Sequence, residues 1–140
     1  VSTMDMIPPE KRSALMSRIR SKNTAPEMLV RRMLHSLGYR YVLHDSRLPG
    51  RPDLVFPSRR KAIQIHGCFW HGHDCPRGFK PKSHADFWAA KIEMNRARDA
   101  RNLAALSDLG WDTLVVWECE MHAAGENAEL KRRLIEFLDV

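Results

Sequence analysis

Apolar residues recur along this chain at two spacings, and the switches between them predict its elements. Met28, Leu29, Met33, Leu34 and Leu37 follow one another at helical intervals, in a stretch that opens at Thr24-Ala25-Pro26-Glu27 and stops at Gly38. An earlier helix is expected from Pro8-Pro9-Glu10 to about Arg20, with Arg12, Arg18, Arg20 and Lys22 forming a basic face. Three short runs then read as strands: Tyr39 to His44, Asp53 to Phe56, and Ala62 to His66. Pro49-Gly50-Arg51-Pro52 is a turn leading straight into Asp53. A long helix is expected from Asp86 to Leu109, ending at Gly110, with Trp88, Ile92, Asn95 and Asp99 on one continuous stripe. Trp111 to Glu118 is a strongly apolar strand, and Glu126 to Leu138 a closing helix.

The order α-α-β-β-β-α-β-α implies an α/β protein with a mixed sheet and helices on its faces. The long helix is a crossover, so Ala62–His66 and Trp111–Glu118 should be parallel neighbours. The 140 residues read as one domain, residues 1–140, large enough for a core without disulfides. Residues 1–10 are expected to form a flexible DNA-binding arm.

Charge narrows the partner. Lys and Arg number 23 against 17 acidic residues, a net +6, which favours a polyanion such as nucleic acid through phosphate contacts. No apolar run reaches the roughly 18 residues of a membrane span, and no apolar leader core is visible, so a cytoplasmic protein is expected. Three cysteines cannot all pair within one chain, and two lie seven residues apart beside histidines, which favours metal over disulfide.

The densest chemistry lies in Cys68-Phe69-Trp70-His71-Gly72-His73-Asp74-Cys75. Structural zinc takes four ligands from thiolates and imidazoles. Cys68, Cys75 and one histidine supply three, and Cys119 closes a Cys3His set if the two strands preceding the cysteines are parallel neighbours. His71 and His73 compete for the fourth place. His73 is preferred because it leaves His71 free for other chemistry. So short a loop cannot easily bury Phe69-Trp70, and a rigid aromatic pair on a basic chain suits the opening of stacked bases.

A second constellation suits phosphodiester hydrolysis. Magnesium favours one or two carboxylates where a phosphate can approach. Asp53, at the start of a strand, fits that need, with backbone carbonyls of Gln64-Ile65-His66 beside it; an Asx turn after proline is the plain structural alternative. Proton transfer near neutrality points to His66 or His71. Asp99 is on the same helix face as Ile92, so it can approach the sheet edge and orient a histidine. Glu27 also reads as the acidic member of a Thr24-x-x-Glu27 capping box.

Gly50-Arg51-Pro52-Asp53, His66-Gly67-Cys68-Phe69-Trp70-His71 and His73-x-Cys75 together resemble the very-short-patch repair (Vsr) endonucleases. The likeness continues through Phe87-Trp88, Asn95, Arg98-Asp99, Leu109-Gly110-Trp111 and Val116-Trp117-Glu118-Cys119, covering about residues 10 to 120. It implies a restriction-endonuclease-like three-layer fold with a structural zinc site. The activity it implies is magnesium-dependent nicking of DNA 5′ of the thymine in a T·G mismatch, the product of 5-methylcytosine deamination. By the same resemblance Asp53 binds magnesium with the Ile65 carbonyl, His71 is the general base, Asp99 supports it, and His66 and Glu27 complete the active site. Zinc is implied at Cys68, His73, Cys75 and Cys119, and base-stack insertion at Phe69, Trp70 and Trp88. Implied partners are double-stranded DNA with a T·G mismatch, mismatch-repair proteins and a repair polymerase, met by a monomer in the bacterial nucleoid.

Two departures are visible. The acidic residue and lysine common on the strand after Pro-Asp in nucleases of this fold are replaced by Gln64 and His66, as in Vsr proteins. Gly72 and Asp74 interrupt what is elsewhere in the family a histidine-rich run. A double-strand restriction-type nuclease and a non-enzymatic zinc protein binding distorted DNA are the competing expectations.

Overall fold

A computed structural model describes residues 24–75, 84–122 and 127–139. The helix expected from Pro8 to Arg20, the arm at 1–10 and the start of the last helix at Glu126 lie outside these residues.

Helix α1 (Ala25–Ser36) begins at Thr24, whose Oγ1 accepts a hydrogen bond from the Glu27 amide at 3.4 Å. Its buried stripe is Glu27, Val30 and Leu34; Met28, Leu29 and Met33, expected inside, are only partly covered. The helix is therefore rotated so that a carboxylate leads its inner face. At its C-terminus Gly38 adopts φ +93°, which lets the Tyr39 amide turn back to the Leu34 carbonyl at 3.0 Å.

That cap shortens the first strand. Because the Tyr39 amide closes the helix, ladder pairing begins later, and β1 is only Val42–Leu43 where Tyr39–His44 was expected. The same device recurs after helix α2 (Ala85–Asp108): Gly110 at φ +84° lets the Trp111 amide reach Leu106, and strand β4 starts at Asp112 and ends at Trp117. Strands β2 (Leu54–Phe56) and β3 (Lys61–His66) fall within a residue of expectation, and helix α3 spans Ala128–Asp139.

The sheet runs β1-β2-β3-β4. The first two pairings are antiparallel, while β3 and β4 are parallel, with Lys61 opposite Asp112 and His66 opposite Trp117. The expected mixed sheet and crossover are thus present. On one face Leu54, Phe56, Ile63 and Val116 pack against Val30 and Leu34 of α1 and against Leu130, Leu134 and Leu138 of α3. Strand alternation turns Ala62, Gln64 and His66 to the other face. Helix α2 packs against β4.

Two cations fasten the last turn of α3 to the sheet: Arg59 donates to the Leu138 carbonyl at 2.7 Å, and the buried Lys61 ammonium donates to that of Phe137. Both satisfy carbonyls that a helix terminus leaves open. Among the described residues no helix is long and apolar enough to cross a membrane.

Core position and surface position should separate cleanly in urea denaturation. Leu134→Ala, at a site with no solvent exposure, should lose about 2–5 kcal/mol. Leu109→Ala, half exposed, should stay within about 0.5 kcal/mol of the parent. Equal losses would contradict this arrangement of the core.

Candidate functional site

Parallel pairing of β3 and β4 delivers both strands to one end of the sheet. The chain leaving His66 forms a tight loop, closed by amide donation from His71 to Gly67 (3.1 Å), His73 to Cys68 (2.9 Å) and Cys75 to His73 (3.0 Å). The chain leaving β4 turns into a 3-10 helix, Glu118–His122, whose Cys119 amide donates to the buried Cys68 sulfur at 3.4 Å. Ligand atoms of Cys68, His73, Cys75 and Cys119 all lie within 4.8 Å of one another.

The donor set is chemically suited to zinc. Cys119 Sγ and His73 Nδ1 are 3.6 Å apart, and a tetrahedron with bonds of about 2.3 Å to sulfur and about 2.0 Å to nitrogen has an edge of roughly that length. Burial pushes the Cys68 thiol up to about 12 and raises that of Cys119, so a cation is what would make thiolates of this group. The His73 ring stacks on Trp117 at 4.1 Å. His71, the competing histidine, points elsewhere.

His71 joins His66 and Asp99 in a second group. Its Nδ1 is 2.5 Å from Asp99 Oδ2, and its ring stacks on His66 at 3.9 Å with an interplanar angle of 5°. Burial alone would raise the Asp99 carboxyl; the hydrogen bond and charge of His71, aided by His66 and Arg98, outweigh it and hold that carboxyl below its usual value. Burial, with the His71 charge beside it, pushes His66 down to about 4. The His66 Nδ1 is buried and has no hydrogen-bond partner among the described residues.

Asp53 lies immediately before β2 and reaches across to β3, where its Oδ2 accepts the Ile65 amide at 2.7 Å. Burial raises its carboxyl to about 6, with the Glu27 charge adding to the rise and the Ile65 amide opposing it. Glu27 itself is buried, its Oε2 2.9 Å from His44 Nε2 and 3.4 Å from Arg31. Glu27, His44 and Asp53 form a third cluster of potential ligands. The second and third groups line one cavity of about 770 Å³.

The aromatic residues stand at this cavity too. Phe69 and Trp70 line it, and both meet Trp88 edge to face, at 5.3 and 5.8 Å. Phe69 and Trp70 are half-buried rather than fully exposed, and Asn95 Nδ2 donates to the Trp70 carbonyl at 2.8 Å, fixing the pair to α2. Gly72 permits that seating: it has φ +65°, and a Cβ there would stand 2.6 Å from Ile92.

The candidate site residues named from sequence therefore fall into the cysteine–histidine group and the cavity, where Asp53 and Glu27, then His66, His71 and Asp99, and the aromatic rings are gathered. Sequence reading missed His44 and the anchoring role of Asn95. His44 is adjacent to Asp53 only because its amide pairs with the Asp53 carbonyl at 3.0 Å, closing the loop between β1 and β2. Asn95 carried a signal, since it is an uncharged polar residue on the stripe that also bears Ile92 and Asp99.

Comparison with known proteins accords with this geometry. The family model described as DNA mismatch endonuclease Vsr matches residues 4–77. The type II nicking enzyme V.XorIIP of Xanthomonas oryzae pv. oryzae is 55% identical over 135 residues, covering 96% of this chain and 97% of that protein. The chain belongs to the Vsr family. The Escherichia coli DNA mismatch endonuclease Vsr is 38% identical over 129 residues, covering 91% of this chain and 83% of its own length. Type II nicking enzyme V.NmeAIP of Neisseria meningitidis, also similar, is 44% identical over 131 residues and 94% of each chain.

In this Vsr family member, Asp53 should cost stability that a neutral amide would not. A folded-state value near 6, above the ordinary 3.8, means that the unfolded chain ionises Asp53 more readily. Stability from this group is full below pH 4 and is lost as pH rises through 6. Asp53→Asn, free of added divalent cation, should thus be more stable than the parent at pH 7 by up to about 3 kcal/mol, the difference closing below pH 4. Thermal melts across pH 4–8 measure this, and an equal or lower Tm at pH 7 would contradict the burial cost.

Proposed function

We propose that this chain nicks one DNA strand 5′ of the thymine in T·G mismatches, using magnesium, and so begins very-short-patch repair. Membership of the Vsr family makes it a strand-specific DNA endonuclease. The finer reading is carried by one observation: Asp53, His71 and Asp99 share a cavity wall with the aromatic cluster. Hydrolytic groups and a base-separating wedge are thus presented to the same stretch of DNA.

Asp53 and the Ile65 carbonyl would hold magnesium, whose chemistry there is neutralisation of charge on the attacked phosphate and the leaving oxygen. His71 is the base. Asp99 engages Nδ1 and leaves Nε2 to take the proton of the attacking water, and its carboxylate stabilises the imidazolium that results. His66 is poorly suited to that role, because a buried ring titrating near 4 is a weak base; it serves as a neutral stacking support for His71. Glu27 and His44 buttress Asp53. Phe69, Trp70 and Trp88 enter the base stack, which opens more readily beside a T·G wobble than beside a matched pair.

The same reading extends to the fold and setting. We assign the mixed sheet to the restriction-endonuclease-like class, treat residues 1–140 as one domain and a monomer, and place the protein in the cytoplasm with nucleoid DNA, where mismatch-repair proteins and a repair polymerase act with it. Zinc at Cys68, His73, Cys75 and Cys119 would be structural.

Incubation with magnesium and labelled duplexes, matched or carrying one T·G pair, tests the activity. A single-strand cut 5′ of the mismatched thymine is expected. His71→Ala should slow it roughly 10²–10⁴-fold at unchanged binding. Trp70→Ala and Trp88→Ala should weaken T·G binding much more than matched binding. Cleavage of both strands of matched DNA would favour a restriction-type enzyme, and mismatch binding without any cut a recognition protein.

The zinc assignment has its own test. Cys119→Ser should lower bound zinc, read by atomic emission, and reduce Tm, since structural zinc contributes on the order of 10 kcal/mol in small zinc domains. Unchanged zinc content would remove Cys119 from the ligand set.

A further inference from the structure

Between β1 and β2 the chain makes a rigid loop that presents one arginine in a conformation unfavourable to it. The loop ends are joined by the His44 amide on the Asp53 carbonyl, and Leu48 and Arg51 amides close two consecutive turns, onto Asp45 (3.2 Å) and Leu48 (3.1 Å). Gly50 has φ +77° and lies so close to Asn102 of α2 that a Cβ would meet its side chain at 2.9 Å. Pro52 is fully buried. Arg51, held between them, has φ +47°, a left-handed conformation that costs a non-glycine residue, here directly before a proline. Strain of this kind persists where surrounding structure imposes it, and it concentrates at functional sites.

The side chain so placed is exposed, lines the cavity that contains Asp53, and has no carboxylate partner among the described residues. Two other arginines differ: Arg47, in the same loop, is bidentate on Asp45, and Arg98, at the same cavity, lies 3.8 Å from Asp99. A guanidinium offers a planar fork of donors matched to two oxygens of a phosphate. We infer that Arg51 grips a DNA backbone phosphate at the cut, either the attacked phosphate or its neighbour on the same strand. This rests on the nuclease reading above and adds a residue to it: the strained loop spends backbone energy to hold a phosphate clamp two residues from Asp53.

Arg51→Gly isolates the side chain, because glycine accepts the left-handed backbone without strain. The probe is zinc-loaded protein with a T·G duplex and no magnesium, in which binding is read by fluorescence anisotropy across a salt series. Arg51→Gly should keep its Tm, lose affinity roughly tenfold and flatten the log Kd against log salt slope by about one. Arg51→Lys should keep the slope yet bind more weakly than the parent, since an ammonium lacks the fork. Neutral methylphosphonates at the cut and at its neighbour then locate the contact. At one of the two positions the parent should lose affinity while Arg51→Gly loses nothing further. An unchanged salt slope for Arg51→Gly, or methylphosphonate losses equal in parent and variant at both positions, would overturn the clamp while leaving the nuclease reading intact. A parent protein without salt-dependent duplex binding would sink both.

Discussion

The parallel pairing of β3 with β4 is the constraint on which everything functional depends. Strands joined through a crossover finish at the same end of the sheet, so the loop after His66 and the turn after Trp117 meet. That meeting brings Cys119 to Cys68, 51 positions apart in sequence, and sets Trp117 under both His73 and His66. An antiparallel β4 would put Cys119 at the far end of the sheet and leave the cysteine group one member short.

Helix α2 converts this frame into a site. It is the crossover itself, and one stripe of it serves three purposes: Asn95 ties down the Trp70 backbone, Asp99 holds His71, and Asn102 packs against the Gly50 turn beside Asp53. The loop after His66 lies directly on the helix because Gly72 has no side chain to collide with Ile92. The loop therefore has two rigid supports, its own cysteine group on one side and α2 on the other. Rigidity of this kind is what the proposed wedge requires, since a yielding ring would give way before the base stack did.

Charge is distributed against stability and toward chemistry. Glu27 is a buried carboxylate and Asp53 a half-buried one beside it, and desolvation makes Asp53 hard to ionise. His66 is kept neutral by the same burial, while Asp99, paired with His71, is kept charged. Groups whose titrations are pushed apart in one cavity are the usual mark of assigned acid, base and electrostatic roles. The Arg51 backbone adds conformational strain to that list. The compensating stability lies on the other face, where α1 and α3 bury a continuous apolar layer.

Much of this was written locally. Helix periodicity located α2 within one residue at each end, and glycines at 38 and 110 marked both helix stops. The close spacing of Cys68, His73 and Cys75 marked a candidate metal-binding group, and the crossover helix implied the parallel pairing that brings Cys119 to it. Tertiary structure decided what periodicity could not. The rotation of α1 that buries Glu27 rather than Met28 goes with the contact of Glu27 to His44 beyond β1, which a helical pattern does not show. The strand starts were trimmed because the Tyr39 and Trp111 amides cap helices instead of joining ladders. Whether His71 or His73 met the cysteines was undecidable from spacing, since two residues of one short loop differ only in the direction the backbone gives them. That direction comes from Asp99 on a helix 28 positions away, a contact that exists only once the chain has folded.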